Sequence, residues 1–191
     1  MRARKGRKLR VIAGVARRTA LAAPKGLVTR PTADRIKENL FNIIAPYVPG
    51  ARFLDLFCGS GAVGIEAISR GASEAVFVDE SKEAVSVTEA NLNRVKFANQ
   101  ANVLCMCALD AISLLKRQGK SFDIIYLDPP YGDSFLAKAL NALTASQLLS
   151  QEGIVIVECS LKEPQNSTES LKLYDTRVYG STRLEFYLMQ T

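Results

Sequence analysis

Apolar residues recur along this 191-residue chain in two alternating rhythms. Between positions 52 and 159, short and nearly continuous apolar runs appear at 52–57, 75–78, 102–107, 122–127 and 154–159. Runs of that length, rich in Val, Ile and Phe and bounded by Gly, Pro, Asp or Ser, predict strands buried on both faces. Between them lie segments near 62–70, 82–97, 111–117 and 134–144 whose apolar positions fall three or four apart, the spacing of a helix with one buried stripe. Strand and helix alternate, which predicts βαβ units and a parallel sheet with helices on both faces. Upstream, Pro31-Thr32 opens an amphipathic helix with Ile36, Leu40, Ile43 and Ile44 on one face, closing before Pro46 and Pro49. Downstream the rhythm changes: 171–179 and 183–189 are β-rich runs joined by Gly180-Ser181-Thr182, which predicts a hairpin. The stretch from Glu163 to Ser170 is polar and loop-like, and no internal repeat appears.

Length adds that residues 1–191 form one domain, a size that buries roughly 70% of its unfolded surface. No apolar stretch reaches the ~20 residues of a membrane helix, and the opening Met1-Arg2-Ala3-Arg4-Lys5 lacks a signal peptide's apolar core, so a cytoplasmic location without membrane attachment is expected. Cys58, Cys105, Cys107 and Cys159 sit among apolar segments without paired CxxC spacing, which predicts reduced thiols and no metal site. The chain has no histidine, so the usual general base and the Ser/His and Cys/His nucleophile systems are excluded.

Charge divides the chain. Residues 1–30 hold ten of the 25 basic residues (Arg2, Arg4, Lys5, Arg7, Lys8, Arg10, Arg17, Arg18, Lys25, Arg30) and no acid, so the net +6 belongs to this leader and the core, 31–191, is slightly acidic. Such an arm suits a phosphate backbone, although a solvated tail would look the same. Leu9-Arg10-Val11-Ile12-Ala13 alternates weakly, meets Gly14, and is followed by a second arm near Arg17 to Leu21; this predicts a basic β-hairpin.

Two strand ends carry candidate chemistry. Asp55-Leu56-Phe57-Cys58-Gly59-Ser60-Gly61-Ala62-Val63-Gly64 sets GxGxxG between a strand and a helix, with Asp79 twenty residues beyond Gly59 at the next strand's end. Backbone at Gly59, Ser60 and Gly61 can approach a ligand closely, and Asp79 can accept both hydroxyls of a ribose. NAD and S-adenosylmethionine both fit those glycines. Asp55 discriminates, because a carboxylate there suits an ammonium group and repels a pyrophosphate. Asp110 could accept an adenine amine and Phe57 could shape the pocket; a helix cap and a core aromatic are their plainer readings. The second strand end is Asp128-Pro129-Pro130-Tyr131. Two prolines cannot donate to a sheet ladder, so the strand stops with a carboxylate beside an unpaired carbonyl and an aromatic ring. Two acceptors and a ring suit a nucleobase bearing an exocyclic amine; a proline-stiffened loop is the bland alternative.

These motifs resemble those of S-adenosylmethionine-dependent amino methyltransferases, and Arg10–Gly14, Arg30-Pro31-Thr32 through Arg35, Glu38, Leu40, Phe41 and Asn42, the segment 55–61, and Tyr179-Gly180 with Thr182 resemble the bacterial RsmD family in matching order. That resemblance implies a Rossmann-like class I methyltransferase fold, an α/β sheet of seven strands in the order 3-2-1-4-5-7-6 with only strand 7 antiparallel. It implies transfer of a methyl group from S-adenosylmethionine, leaving S-adenosylhomocysteine, to a guanine N2 in 16S ribosomal RNA, within an assembled or assembling small subunit, by a monomer. Asp128, Pro129, Pro130 and Tyr131 would then be catalytic; Asp55, Phe57, Gly59, Ser60, Gly61, Asp79 and Asp110 would hold the cofactor; Arg10, Arg17, Arg18, Arg30, Thr32, Arg35 and Tyr131 would meet RNA. Val15-Ala16-Arg17-Arg18-Thr19-Ala20 departs from the family by being less basic and less glycine-rich. Competing expectations are an adenine-N6 methyltransferase acting on DNA or RNA, which would use the same tetrapeptide, an NAD oxidoreductase, and a non-catalytic RNA-binding module.

Overall fold

Odd and even residues of each central strand enter two different cores. A computed structural model describes residues 9–24, 31–129, 135–165, 168 and 170–190, with the side chains of 31–33 left aside. Its elements are α1 (Pro31–Ile43), β1 (Arg52–Asp55), α2 (Ala62–Ser69), β2 (Glu74–Asp79), α3 (Lys82–Val95), β3 (Ala101–Cys105), α4 (Ala108–Arg117), β4 (Phe122–Leu127), α5 (Phe135–Ser146), β5 (Leu149–Ser160), β6 (Leu171–Tyr179) and β7 (Thr182–Met189). Seven strands form one sheet in the order β3-β2-β1-β4-β5-β7-β6. The first five pair in parallel, and β7 runs antiparallel to both β5 and β6. Phe53, Phe77, Ile124 and Ile156 point to one face, under the leader, α1, α2 and α3. Leu54, Val76, Ile125 and Val157 point to the other, under α4 and α5. Burial on both faces is why these strands read as continuous apolar runs. Among the described residues no helix is long and apolar enough to cross a membrane.

Several boundaries differ from expectation. β1 ends at Asp55 rather than residue 57, because the chain turns into the glycine loop there. α4 begins at Ala108, three residues early, after an extended Cys107. α3 stops at Val95, where Lys96 takes a left-handed φ of 64°. β5 starts at Leu149, five residues early, and its pairing with β4 shifts register between Phe122 and Ile124.

Of the leader, residues 9–24 are described. Its two arms meet in a single antiparallel bridge, Arg10 to Ala20, with Val11 N–H donating to the Thr19 carbonyl at 3.0 Å and Leu21 N–H to the Leu9 carbonyl at 2.8 Å. What holds it is the core. Gly14, at φ +80°, lies so close to α2 that a Cβ there would stand 1.7 Å from the Ser69 carbonyl oxygen. The Ile12 and Ala13 N–H groups donate to Glu66 Oε2 and Oε1 at 2.7 and 2.9 Å. Val11 and Leu21 are buried in the same cluster as α1 and α2.

Glu66 is wholly buried and is the hub of this docking. Besides the two leader amides it meets Arg70 Nε at 2.8 Å and Lys37 Nζ at 3.4 Å, and Lys37 donates in turn to the Arg10 carbonyl at 2.7 Å. Burial lowers the Lys37 pKa while Glu66 opposes that shift. Glu66→Ala would strand a buried ammonium and two amide donors, so the variant is expected to lose about 3–5 kcal/mol in urea unfolding. Its leader should also become cleavable by trypsin at Arg17 and Arg18 under native conditions. A loss below about 1 kcal/mol would show that the leader docks by apolar contact alone.

Candidate active site

Strand order places the site. β1 lies between β2 and β4, so the chain leaves this point in opposite directions, and a crevice opens beyond the carboxyl ends of the strands. Asp55 is paired in register with Tyr126, and Tyr126 with Ile156; Asp128 and Glu158 follow two residues further along β4 and β5. With a side-chain period of two, Asp55, Tyr126, Asp128 and Glu158 therefore share one face across three adjacent strands. They border a cavity of about 610 Å³ whose walls also include Leu9 and Ala23 of the leader, Lys37 and Leu40 of α1, Phe57 to Ser60 of the glycine loop, Asp79 and Glu80 after β2, and Pro129.

The glycine loop is held by side chains that leave its cavity side clear. Gly61 takes φ +73° at the N-terminus of α2, and a Cβ there would meet Thr88 Cγ2 at 2.8 Å. Thr88 Oγ1 donates to the Gly59 carbonyl at 3.1 Å, and Asn91 Nδ2 donates to the Ser60 carbonyl at 2.8 Å. Asp79 accepts the Gly59 N–H on Oδ2 and the Ser81 N–H on Oδ1, both at 2.9 Å. Each oxygen keeps a further lone pair for a ligand. Phe57 packs edge-on against Phe135 at 5.8 Å between centroids, and both rings line the cavity.

The walls carry an excess of acidic groups. Among the described residues, Asp55, Asp79, Glu80, Asp128 and Glu158 line the cavity against one base, Lys37, which Glu66 already engages. Asp55 is 1% exposed; its Oδ2 accepts the Gly64 N–H at 3.3 Å, and its Oδ1 has no partner among the described residues. Burial pushes its pKa up to about 7, while the nearby Gly64 and Phe57 amides favour the charged form. Asp128 opens to solvent through the cavity but is crowded by protein atoms on its other sides; that burial, with the Glu158, Asp55 and Glu163 carboxylates nearby, raises its pKa well above the ordinary carboxylate range. The Tyr126 hydroxyl donates to Glu158 Oε2 at 2.6 Å, favouring ionised Glu158 while burial raises its pKa.

Asp110 lies exposed in the first turn of α4, its Oδ2 accepting the Cys107 thiol at 3.1 Å, and Cys107 lines the cavity with Met106 and Ala108. Arg10, Arg17, Arg18 and Arg35 are exposed, and Arg10 meets Asp34 at 3.6 Å. Arg30, Pro130 and Tyr131 lie outside the described residues, as does the Thr32 side chain. Sequence reading missed Tyr126 and Glu158. Their signal was present, since a polar residue two or four places past the core positions of a buried strand marks its ligand end, but only the β4–β5 register brings them together.

Comparison with known proteins follows from this geometry. The family model "Conserved hypothetical protein 95" matches residues 9–188. YlbH of Bacillus subtilis is 36% identical over 94% of this chain and 98% of its own, and "Ribosomal RNA small subunit methyltransferase D" of Haemophilus influenzae is 32% identical over 94% and 93%. The solved structure of yhhF from Escherichia coli superposes with a TM-score of 0.84 at 30% identity, covering 96% of this chain and 99% of that one. The seven-stranded Rossmann-like architecture is thus shared along the whole length.

Burial of Asp55 makes ligand-free stability depend on pH. Below its ordinary pKa of 3.8 both folded and unfolded chains hold the proton; between 3.8 and about 7 only the folded chain does, so stability falls as pH rises through that window and stays lower above it. Asp55→Asn is therefore expected to stabilise the ligand-free protein at pH 8 by roughly 1–4 kcal/mol, with the gain shrinking toward pH 5. Urea midpoints at unit pH steps check this; a gain independent of pH would contradict it.

Proposed function

The chain belongs to the conserved hypothetical protein 95 family, together with relatives named ribosomal RNA small subunit methyltransferase D, and on that premise we propose that it methylates the N2 amine of a guanine in small-subunit (16S) ribosomal RNA, using S-adenosylmethionine. The observation that carries the reading is the acid-lined cavity bordered by Asp55, whose Oδ1 has no partner among the described residues. Such walls favour a ligand with ammonium and sulfonium charges and disfavour a dinucleotide's pyrophosphate. When bound, S-adenosylmethionine supplies an electrophilic methyl group and leaves as S-adenosylhomocysteine.

The residues take the following parts. Asp55 Oδ1 would accept from the ammonium and Asp79 from the ribose hydroxyls, and the backbone of Gly59, Ser60 and Gly61 would help to hold the ligand. The target guanine leaves its stack, because a stacked base cannot present its amine to a recessed methyl group, and Tyr131 supplies the ring it lies against. Asp128 and the Pro129 carbonyl accept the two N–H bonds of the amine, drawing its lone pair out of conjugation and toward the methyl carbon. Acceleration comes from positioning and from acceptors set where positive charge develops on nitrogen. As the N–C bond forms, the amine's extra proton passes to Asp128 or to water, and no histidine is needed. Exposed Arg10, Arg17, Arg18 and Arg35 contact phosphates. The enzyme works as a cytoplasmic monomer on an assembled or assembling subunit.

Incubation with labelled S-adenosylmethionine and, in parallel, unmethylated small subunits, free ribosomal RNA and DNA should place label in N2-methylguanosine; label confined to N6-methyladenine in DNA refutes the reading. Asp128→Ala should lower turnover by roughly a thousandfold or more while calorimetry finds cofactor affinity nearly unchanged. Asp79→Ala should instead weaken cofactor binding about ten- to a hundredfold. An unaltered affinity would remove Asp79 from the ribose.

A further inference from the structure

Glu158 has no part in the steps above, yet it lines the same cavity and shares the face of Asp128 at the next strand end. Its Oε2 is fixed by the buried Tyr126 hydroxyl at 2.6 Å, and among the described residues no donor engages Oε1. A carboxylate placed this way is an acceptor of fixed direction. Two acceptors side by side, Asp128 and Glu158, match a base edge that presents two N–H donors on neighbouring atoms.

Guanine has that edge: its N2 amine and its N1–H are both donors. Adenine presents one amine beside N1, a bare lone pair, which would face a carboxylate lone pair unfavourably. We propose that Glu158, held by Tyr126, accepts the N1–H of the target base and so selects guanine over adenine while Asp128 holds the amine that is methylated. This rests on the function proposed above and assigns to β5 the choice that the Asp128 tetrapeptide cannot make, since one carboxylate and one carbonyl fit any base amine. Burial raises the Glu158 pKa, and the Tyr126 hydrogen bond opposes that shift in favour of the ionised form needed for acceptance. Neither residue acts on the methyl carbon, so the pair is a reader of the base.

The test replaces the base before the protein. The methylated guanine found by nucleoside mapping is exchanged, in a synthetic segment ligated into full-length small-subunit RNA and assembled with ribosomal proteins where the mapping requires it, for 2-aminopurine. That base keeps the N2 amine but offers a lone pair at N1. Wild-type enzyme should use it with kcat/KM about 10- to 100-fold below guanine, and Glu158→Gln should bring the two bases within about threefold by losing guanine activity and gaining 2-aminopurine activity, because the introduced amide can turn its NH₂ toward N1. Tyr126→Phe should narrow the same ratio without closing it. Equal use of both bases by wild-type enzyme overturns the inference whether or not any variant folds, and so does a Glu158→Gln variant, native by circular dichroism, that slows both bases alike. Absence of label in any N2 position would instead overturn the underlying function.

Discussion

A single buried carboxylate joins the parts of this molecule that strand pairing alone would leave apart. Glu66 receives amides from the leader, an ammonium from α1 and a guanidinium from its own helix, so the leader, α1 and α2 have one relative arrangement. A buried charge satisfied by four donors from three segments cannot slide, because any displacement leaves a donor or an oxygen without a partner in a medium of low dielectric constant. The cavity depends on that fixity. Leu9, Ala23, Lys37 and Leu40, which help to wall it, belong to the leader and α1, the segments that Glu66 ties to α2.

The strand ends show the opposite balance. Asp55, Asp128 and Glu158 crowd acids onto one face with no base among the described residues left to neutralise them, an arrangement that disfavours the ligand-free state and favours cations. The scaffold tolerates this because β1, β4 and β5 are central strands, buried on both faces and paired on both edges. Phe53 and Ile156 are fully buried two residues before Asp55 and Glu158, and Ile124 is fully buried four residues before Asp128.

Much of this was legible in the sequence because it is local. Apolar runs marked the strands, the 3.6-residue spacing marked the helices, and the segments at Asp55 and Asp128 announced strand ends by their glycines and prolines. What escaped is nonlocal. Glu66 reads as an ordinary surface acid in a short helix, since nothing in Ala62–Ser69 says that a leader fifty residues earlier will cover it. Glu158 reads as the polar end of a strand until register sets it beside Tyr126. The start of α4 escaped for a related reason: apolar spacing placed it three residues late, so Asp110 stands inside the first turn of the helix.

Asn91 gives the leader a consequence in the order of synthesis. Its side-chain amide holds the Ala22 backbone on both sides and also the Ser60 carbonyl of the glycine loop. The leader thus needs Glu66, Ser69 and Asn91, which follow it by 53 to 69 residues, before it can take its place. During translation this basic segment leaves the ribosome ahead of every group that will hold it. It meets an RNA-rich surrounding before Glu66, Ser69 and Asn91 have been made.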